Sequence, residues 1–173
     1  MKKYLVLAMV AAMAVGACAQ PMIQEGTREI GLEGYWDNKG PGGTDMEVGL
    51  TYGVYWRDEI EFGAILDYAS TVDGDYKRWD VFLFAEKDFD MGGMTVPYVC
   101  AKLGWGKDEI VPTDYSETAF IYGPRVGVKQ YLSDNVALDI GLEYMFSSED
   151  FWNNEGTYES NDLRISYGVR ASF

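Results

Sequence analysis

Apolar and polar side chains alternate, residue by residue, along eight separate stretches of this sequence. Such alternation predicts β-strands, because successive side chains of a strand point to opposite faces of a sheet. We find no convincing helical pattern after the apolar N-terminus. The chain is therefore expected to be all-β. The predicted strands are residues 27–36, 45–56, 59–68, 77–88, 94–105, 118–131, 136–146 and 163–173.

The connections between these strands alternate between short and long. Those after strands two, four and six have two to five residues, whereas the others run 37–44, 69–76, 106–117 and 147–161. Short turns on one rim and long polar loops on the other are typical of outer-membrane barrels with both chain ends on the periplasmic side. Pro124 lies in mid-strand without an N–H for the ladder, so we expect a bulge or a local break there.

The volume of the side chains decides which face of the strands lies inside. An eight-stranded barrel encloses only its own side chains or one small ligand. The apolar face, with Trp36, Trp56, Trp79 and Trp105 among many bulky residues, is too large for that space, whereas the other face combines charges with glycines. The sequence therefore predicts an eight-stranded antiparallel up-and-down transmembrane β-barrel whose apolar face contacts lipid. A secreted soluble β-protein would leave the aromatic residues at the strand ends unexplained.

The N-terminus has the pattern expected of a secretion signal. A basic start, an apolar stretch and an Ala-x-Ala site predict a signal peptide over residues 1–19, with the barrel domain at 20–173. A loose lipobox leaves open the alternative that Cys18 becomes a lipidated N-terminus. Loss of Lys2 and Lys3 with the signal peptide changes the net charge from −14 to −16. So acidic a chain is not expected to bind nucleic acid.

Charged residues dominate the predicted inner face, which we call the lumen network. A buried charge without a partner costs several kcal/mol, so closure of the barrel requires acids and bases to pair. Glu47, Glu61 and Asp67 have no obvious basic neighbour, and protonation, water or a cation would have to compensate them. The fifteen predicted members of the network are Glu29, Glu33, Glu47, Glu61, Asp67, Arg78, Asp80, Glu86, Lys102, Arg125, Lys129, Asp139, Glu143, Arg164 and Arg170.

Two interpretations of the lumen network remain open. The first is a plug that fills and rigidifies the barrel, and the second is a narrow passive pore that prefers cations. The five expected pairs are Arg125 with Glu143, Lys129 with Asp139, Asp80 with Lys102, Arg164 with Glu33, and Arg170 with Glu29.

The composition argues against catalysis. Histidine is absent, which removes the usual base of serine or cysteine nucleophiles, and the membrane-barrel enzymes known to us rely on a histidine. Cys100 is predicted to be buried in the lumen. One cysteine without a histidine offers too few ligands for zinc, so no zinc site is expected. The chain is predicted to be no enzyme and to hold no cofactor or metal.

The fourth long loop, residues 147–161, combines carboxylates with aromatic side chains. A solvated loop is one interpretation. A surface contact is the other, with aromatics for a partner and carboxylates for divalent ions shared with lipopolysaccharide, although no loop has the spacing of a Ca²⁺ loop. The candidate contact residues are Glu149, Asp150, Phe151, Trp152, Glu155, Tyr158 and Glu159.

Three segments carry a resemblance to a known family: the terminal strand 163–173, the Tyr-Leu-Ser-Asp-Asn-Val-Ala-Leu region at 131–138 and the Pro-Tyr-Val opening at 97–99. With the signal peptide and eight strands, they make the chain resemble the small outer-membrane barrels of the outer membrane protein A and outer membrane protein X superfamily. The resemblance implies a monomer in the outer membrane of a Gram-negative cell, in contact with lipid and lipopolysaccharide. It also implies roles in envelope integrity, adhesion or host interaction. Insertion by the barrel-assembly machinery would use Tyr167, Val169 and Phe173 as the C-terminal signal.

Overall fold

The main feature of the structure, a computed structural model that describes residues 21–37, 46–70, 76–110, 115–154 and 157–173, is a closed barrel of eight antiparallel strands. A separate two-stranded sheet, formed by Trp152–Asn154 and Thr157–Glu159, lies in the fourth loop. The predicted fold class is thereby confirmed, while the predicted signal peptide lies outside the described residues. The strands are β1 (Arg28–Asp37), β2 (Met46–Arg57), β3 (Ile60–Ser70), β4 (Tyr76–Asp88), β5 (Thr95–Ile110), β6 (Tyr115–Ser133), β7 (Val136–Ser147), β8 (Trp152–Asn154), β9 (Thr157–Glu159) and β10 (Asn161–Ser172).

The barrel closes where the last strand meets the first. β10 pairs antiparallel with β1, with Arg170 opposite Gly31 and Ser172 opposite Glu29. Beyond that register, the backbone N–H of Arg28 donates to the carbonyl of Phe173 at 3.0 Å, and the N–H of Phe173 donates back at 2.9 Å. The backbone of the final residue is thus part of the seam. In the described part of the chain, no helix has the length and apolarity needed to cross a membrane.

Two of the four long loops contain more regular structure than the alternation predicts. The loop predicted at 106–117 is mostly strand, because β5 continues to Ile110 and β6 begins at Tyr115. Residues 106–109 of this extension are one glycine and three charged residues, so the period-two signal fades there although the backbone stays extended. The loop predicted at 147–161 contains the β8–β9 hairpin, whose three-residue strands are too short to show a pattern.

Pro124 interrupts the ladder without shifting it. Tyr122 pairs with Phe146 and Arg125 with Glu143, and these pairs keep one register across the proline. The pairs of Gly123 and Pro124 with β7 are missing between them, because proline offers no N–H. Of the two expected outcomes, the structure therefore has the local break rather than the bulge.

The outer wall of the barrel is apolar and its interior is charged. Leu32 is 60% exposed whereas the neighbouring Glu33 is 2% exposed, and this contrast recurs along the other strands. Aromatic rings pair near the loop-side rim, with ring centroids 4.3 Å apart for Tyr68 and Trp79. At the opposite rim, the Trp56 ring lies 6.0 Å from that of Phe62. An exposed apolar wall between two aromatic girdles is the surface of a protein that crosses a lipid bilayer.

Candidate functional site: the lumen network

All fifteen charged residues that were predicted to point inward are buried, none of them more than 7% exposed. The structure adds three carboxylates at strand ends, Asp88, Asp108 and Asp162, each also no more than 7% exposed. Each of the three lies an even number of residues from a predicted member on the same strand, so the alternation contained a signal for them. They were missed because Asp88 ends a predicted strand, Asp108 lies in a predicted loop, and Asp162 lies between a predicted loop and a predicted strand. Among the described residues, the buried network thus has twelve carboxylates and six bases.

Two arginines cross the middle of the lumen. Arg125 of β6 places Nη1 2.7 Å from Oε2 of Glu33 and Nη2 2.6 Å from Oδ2 of Asp139. Arg170 of β10 places Nε 2.7 Å from the same Asp139 oxygen. Its Nη1 lies 3.2 Å from Oε1 of Glu86, which is on β4 at the opposite wall of the barrel. Because a guanidinium group donates to several acceptors at once, these two side chains connect strands that do not touch through their backbones.

Three glutamates in the periplasmic half have the geometry of a cation site. Glu29, Glu61 and Glu86 each offer a carboxylate oxygen, and these oxygens lie within 4.8 Å of one another. The ammonium of Lys129 lies 2.6 Å from Glu86, 3.4 Å from Glu29 and 3.6 Å from Glu61. Nη1 of Arg170 lies 2.9 Å from Glu29 in the same cluster. Lys129 and Arg170 therefore occupy the position that a metal ion would take, so the three glutamates do not fit a metal site.

A second cluster occupies the half of the lumen nearer the long loops. Arg78 forms an ion pair with Glu47, and its Nε lies 3.1 Å from Oδ2 of Asp80. Arg164 places Nη1 3.2 Å from Glu47 and Nε 2.6 Å from Asp162. Glu47, which was expected to lack a basic neighbour, therefore contacts two arginines. That expectation is wrong.

Asp67 and Glu61 are less fully compensated. Asp67 accepts a hydrogen bond from the hydroxyl of Tyr35 at 3.0 Å, and we find no ion pair to it among the described residues. Glu61 is fully buried, and neither of its carboxylate oxygens has a hydrogen-bond partner in the described structure. Its nearest cation is Lys129 at 3.6 Å. The expectation of no basic neighbour is thus correct for Asp67 among the described residues. It is wrong for Glu61, because Lys129 and Arg170 lie 3.6 Å and 3.8 Å from its Oε2.

Two of the five expected ion pairs are present. Arg125 lies opposite Glu143 in the register, with Nη1 3.2 Å from Oε1. Arg170 lies 2.9 Å from Glu29. Lys129 and Asp139 lie opposite each other in the register, as expected, but their side chains do not form the expected ion pair. In this narrow lumen a lysine reaches past its cross-strand neighbour, and Lys129 turns to Glu86 instead.

The other two expected pairs are wrong because the register differs from the prediction. Asp80 lies opposite Gly106, and Lys102 lies opposite Phe84, since the turn between β4 and β5 is centred later than Met91. Lys102 contacts Glu143 instead, at 3.0 Å. At the seam, Arg164 lies opposite Asp37 rather than near Glu33.

An apolar cluster shares the lumen with the charges. The predicted burial of Cys100 in the lumen agrees with this, but the cluster as a whole was not predicted. It reaches from mid-barrel to the loop-side rim and is closed there by Phe151, which is 1% exposed. Gly106 makes room for this ring, because a Cβ atom there would lie 2.9 Å from Cζ of Phe151. The members of the cluster are Ile65, Phe82, Phe84, Tyr98, Cys100, Ala119, Ile121, Met145 and Phe151.

Phe151 is therefore not a surface contact residue, and that prediction is wrong. Its neighbours Glu149 and Asp150 are exposed, as a contact residue would have to be, and Glu159 is partly exposed. Glu155 and the side chains of Trp152 and Tyr158 lie outside the described residues. The predicted C-terminal signal residues point to the lipid side, with exposed fractions of 47% for Tyr167, 47% for Val169 and 62% for Phe173.

Comparison of the sequence with known proteins finds one relative of undescribed function. No family model matches the chain. An uncharacterized protein of Haemophilus influenzae strain Rd is 28% identical over 188 residues, which cover 100% of both chains.

Several solved structures share the fold. Neisserial surface protein A (NspA) matches with a TM-score of 0.60 and 20% identity over 85% of this chain and 95% of its own. The N-terminal β-barrel domain of Pseudomonas aeruginosa OprF matches with a TM-score of 0.60 and 18% identity, over 86% and 98%. Ail, the attachment invasion locus protein of Yersinia pestis, matches with a TM-score of 0.51 and 14% identity, over 87% and 100%. Together with the apolar outer wall, these likenesses show that the chain is a β-barrel of the outer-membrane type, as the sequence predicted.

Proposed function

We propose that this outer-membrane barrel is a non-enzymatic, non-conducting protein that acts at the cell surface or in the integrity of the envelope. The observation that carries the proposal is the ion-paired cross-section of the lumen. Arg125, Arg170 and Lys129 are each no more than 2% exposed, and the carboxylates around them are equally buried. A solute would have to break several short ion pairs in a low-dielectric space in order to pass.

Both ends of the lumen support the same proposal. Phe151 covers the loop-side end, and Ile23, which is 4% exposed, covers the periplasmic end. Glu149 and Asp150 are exposed on the fourth long loop, and loops are where barrels of this kind carry their functions. Contact with lipopolysaccharide, insertion by the barrel-assembly machinery and a monomeric state belong to this proposal. The solved barrels include one described as a surface protein and one as an attachment and invasion protein, which is consistent with a surface role.

A narrow cation-preferring pore is the second candidate. The excess of buried carboxylates over bases favours it, because a net-negative wall attracts cations. Glu61 and Asp67, which have the weakest compensation, would be the residues that contact a passing ion.

Bilayer conductance separates the two candidates. We expect the chain, refolded in detergent and inserted into a planar lipid bilayer, to give no steady current steps under an applied voltage. Insertion is verified on the same sample by protease protection of the membrane-spanning part. Steady cation-selective steps that change size in the Glu61→Gln, Asp67→Asn variant would establish the pore and refute the plug.

The surface role is tested by neutralising exposed loop carboxylates without disturbing Phe151. We expect cells that carry the Glu149→Gln, Asp150→Asn variant to survive detergent exposure less well than wild-type cells, because fewer carboxylates can share divalent ions with lipopolysaccharide. The matched control is Asp90→Asn, an exposed carboxylate in the β4–β5 turn at the opposite rim. Equal survival of both variants and the wild type, at equal amounts of folded barrel, would argue against a role of these loop carboxylates.

A further inference from the structure

Residues 21–27, which we call the N-terminal strap, cross the periplasmic mouth of the barrel. The N–H of Met22 donates to the carbonyl of Asp134 in the β6–β7 turn at 3.1 Å. The carbonyl of Ile23 accepts from the N–H of Glu59 in the β2–β3 turn at 2.8 Å. The N–H of Glu25 donates to Oδ1 of Asp58 in that turn at 2.9 Å. In the ring of eight strands these two turns lie on opposite sides of the mouth, so the strap spans its full width.

One side chain of the strap is inserted into the mouth. Ile23 belongs to a buried apolar cluster that is separate from the one at the loop side, and Met94 packs against it. The cluster draws on four of the eight strands of the barrel, so this single isoleucine belongs to a cluster that links half of the rim. Its other members are Tyr55, Val96, Tyr131 and Ala137.

This cluster lies directly against the lumen network. The hydroxyl of Tyr55 donates to Oδ2 of Asp88 at 2.6 Å, and the ammonium of Lys129 donates to the Tyr55 hydroxyl at 3.0 Å. Removal of the strap would therefore expose to the periplasm the residues that shield the Lys129 cluster. The strap covers charges as well as apolar surface.

The strap is attached through backbone hydrogen bonds and few buried side chains. Only Ile23 and Thr27 of the strap are buried, whereas Gln24, Glu25 and Gly26 are exposed. The anchoring turn is held by the ion pair of Glu59 with Lys87. The Lys87 hydrogen bond keeps the pKa of Glu59 below its usual range, so the anchor stays ionised at neutral pH. A segment with one buried apolar side chain opens far more readily than a ladder that is paired on both edges.

We propose that the N-terminal strap is a latch that closes the periplasmic mouth and opens as a unit while the barrel stays folded. Opening removes Ile23 from the cluster and exposes Tyr55, Val96, Tyr131 and Ala137 to the periplasm. The latch does not depend on whether the lumen conducts, because the ion pairs of Arg125 and Arg170 lie deeper than the strap and remain closed when it opens.

Cysteine labelling tests the latch. In a full chain in which Cys18 and Cys100 are replaced by alanine, the Ala137→Cys variant places one thiol beneath Ile23. We expect slow reaction of this thiol with a small membrane-impermeant maleimide in the folded barrel. Adding Ile23→Gly should raise the rate at least about tenfold, because the population of the open strap rises when its one deeply buried apolar side chain is lost.

A thiol at the other end of the lumen provides the control. Ala119→Cys lies in the loop-side cluster, where alanine is 2% exposed, and its labelling rate should not change with Ile23→Gly. Equal rates for Ala137→Cys with and without Ile23→Gly would overturn the proposal. So would a parallel rise at Ala119→Cys, which indicates general loosening. If Ala137→Cys does not fold, hydrogen exchange at the amide of Glu59 measures the same opening, and an unchanged rate in Ile23→Gly would overturn it.

Discussion

Replacement of Arg170 by methionine is expected to lower the free energy of unfolding by about 3–5 kcal/mol, the range seen when one partner of a buried ion pair is removed. Arg170 contacts Asp139 at 2.7 Å, Glu29 at 2.9 Å and Glu86 at 3.2 Å, and all four residues are buried. Methionine fills a similar volume but leaves these carboxylates to repel one another. Urea titration of the barrel in lipid vesicles, followed by tryptophan fluorescence, measures the loss.

The control for Arg170→Met is Arg28→Met, because Arg28 is an exposed arginine on the outer wall of β1. It should change the stability by no more than about 0.5 kcal/mol. Adding Glu29→Gln and Asp139→Asn to Arg170→Met should restore part of the loss, since residues in one network do not contribute additively. A loss for Arg170→Met no larger than that for Arg28→Met would mean that the lumen network does not stabilise the barrel.

The second large effect is expected at Gly104, where the inner wall of β5 approaches β4. A Cβ atom at this position would lie 2.0 Å from the carbonyl oxygen of Val81 and 2.8 Å from Cα of Phe82. Both are backbone atoms of the neighbouring strand, so a side chain can be accommodated only if the ladder moves. Gly104→Ala should therefore cost about 3 kcal/mol, the upper end of the range for overpacked sites, or reduce the yield of folded barrel.

Gly93 offers a matched comparison for Gly104. It lies in the β4–β5 turn, and a Cβ atom there would meet nothing within 4 Å. Gly93→Ala should leave the free energy of unfolding, measured by urea titration, within about 0.5 kcal/mol of the wild-type value. Equal stability of Gly104→Ala and Gly93→Ala would show that the close approach of β5 to β4 places no demand on residue 104.

The alternation of side chains predicted the strands and the inward face because lipid outside and charge inside impose a strict period of two. The same signal placed Glu33 and Arg170 in the lumen, where they lie 3.4 Å apart. The alternation did not predict the loop-side extension of the strands. The extension of β5 to Ile110 starts with one glycine and three charged residues, so the local sequence resembles that of a loop.

The register was predictable only where a short turn sets it. The turn through Asp134 and Asn135 fixes the pairing of β6 with β7, and Arg125 lies opposite Glu143 as expected. The longer connection between β4 and β5 can be centred at several residues, and the seam between β1 and β10 has no turn. Register then depends on how the whole barrel packs, which no short segment encodes.

Ionic partners were harder to predict than positions, because long side chains cross the lumen. Lys129 lies opposite Asp139 in the ladder and contacts Glu86 on another strand.

The burial of Phe151 was not predicted, for a different reason. A loop aromatic that folds back into a barrel leaves no periodic trace in the sequence, and its burial depends on the space that Gly106 leaves free.

The seam between β1 and β10 also constrains the order of events in biogenesis. Ser172 donates to Glu29 across a separation of 143 residues, and the backbone of Phe173 completes the pairing with Arg28. Closing so long a loop is slow, and the seam is complete only when Ser172 and Phe173 have paired with the start of β1. Until then, both edges of the growing sheet and its apolar wall are open to aggregation. The unclosed sheet must therefore be protected, and formation of the seam between β1 and β10 determines when that protection can end.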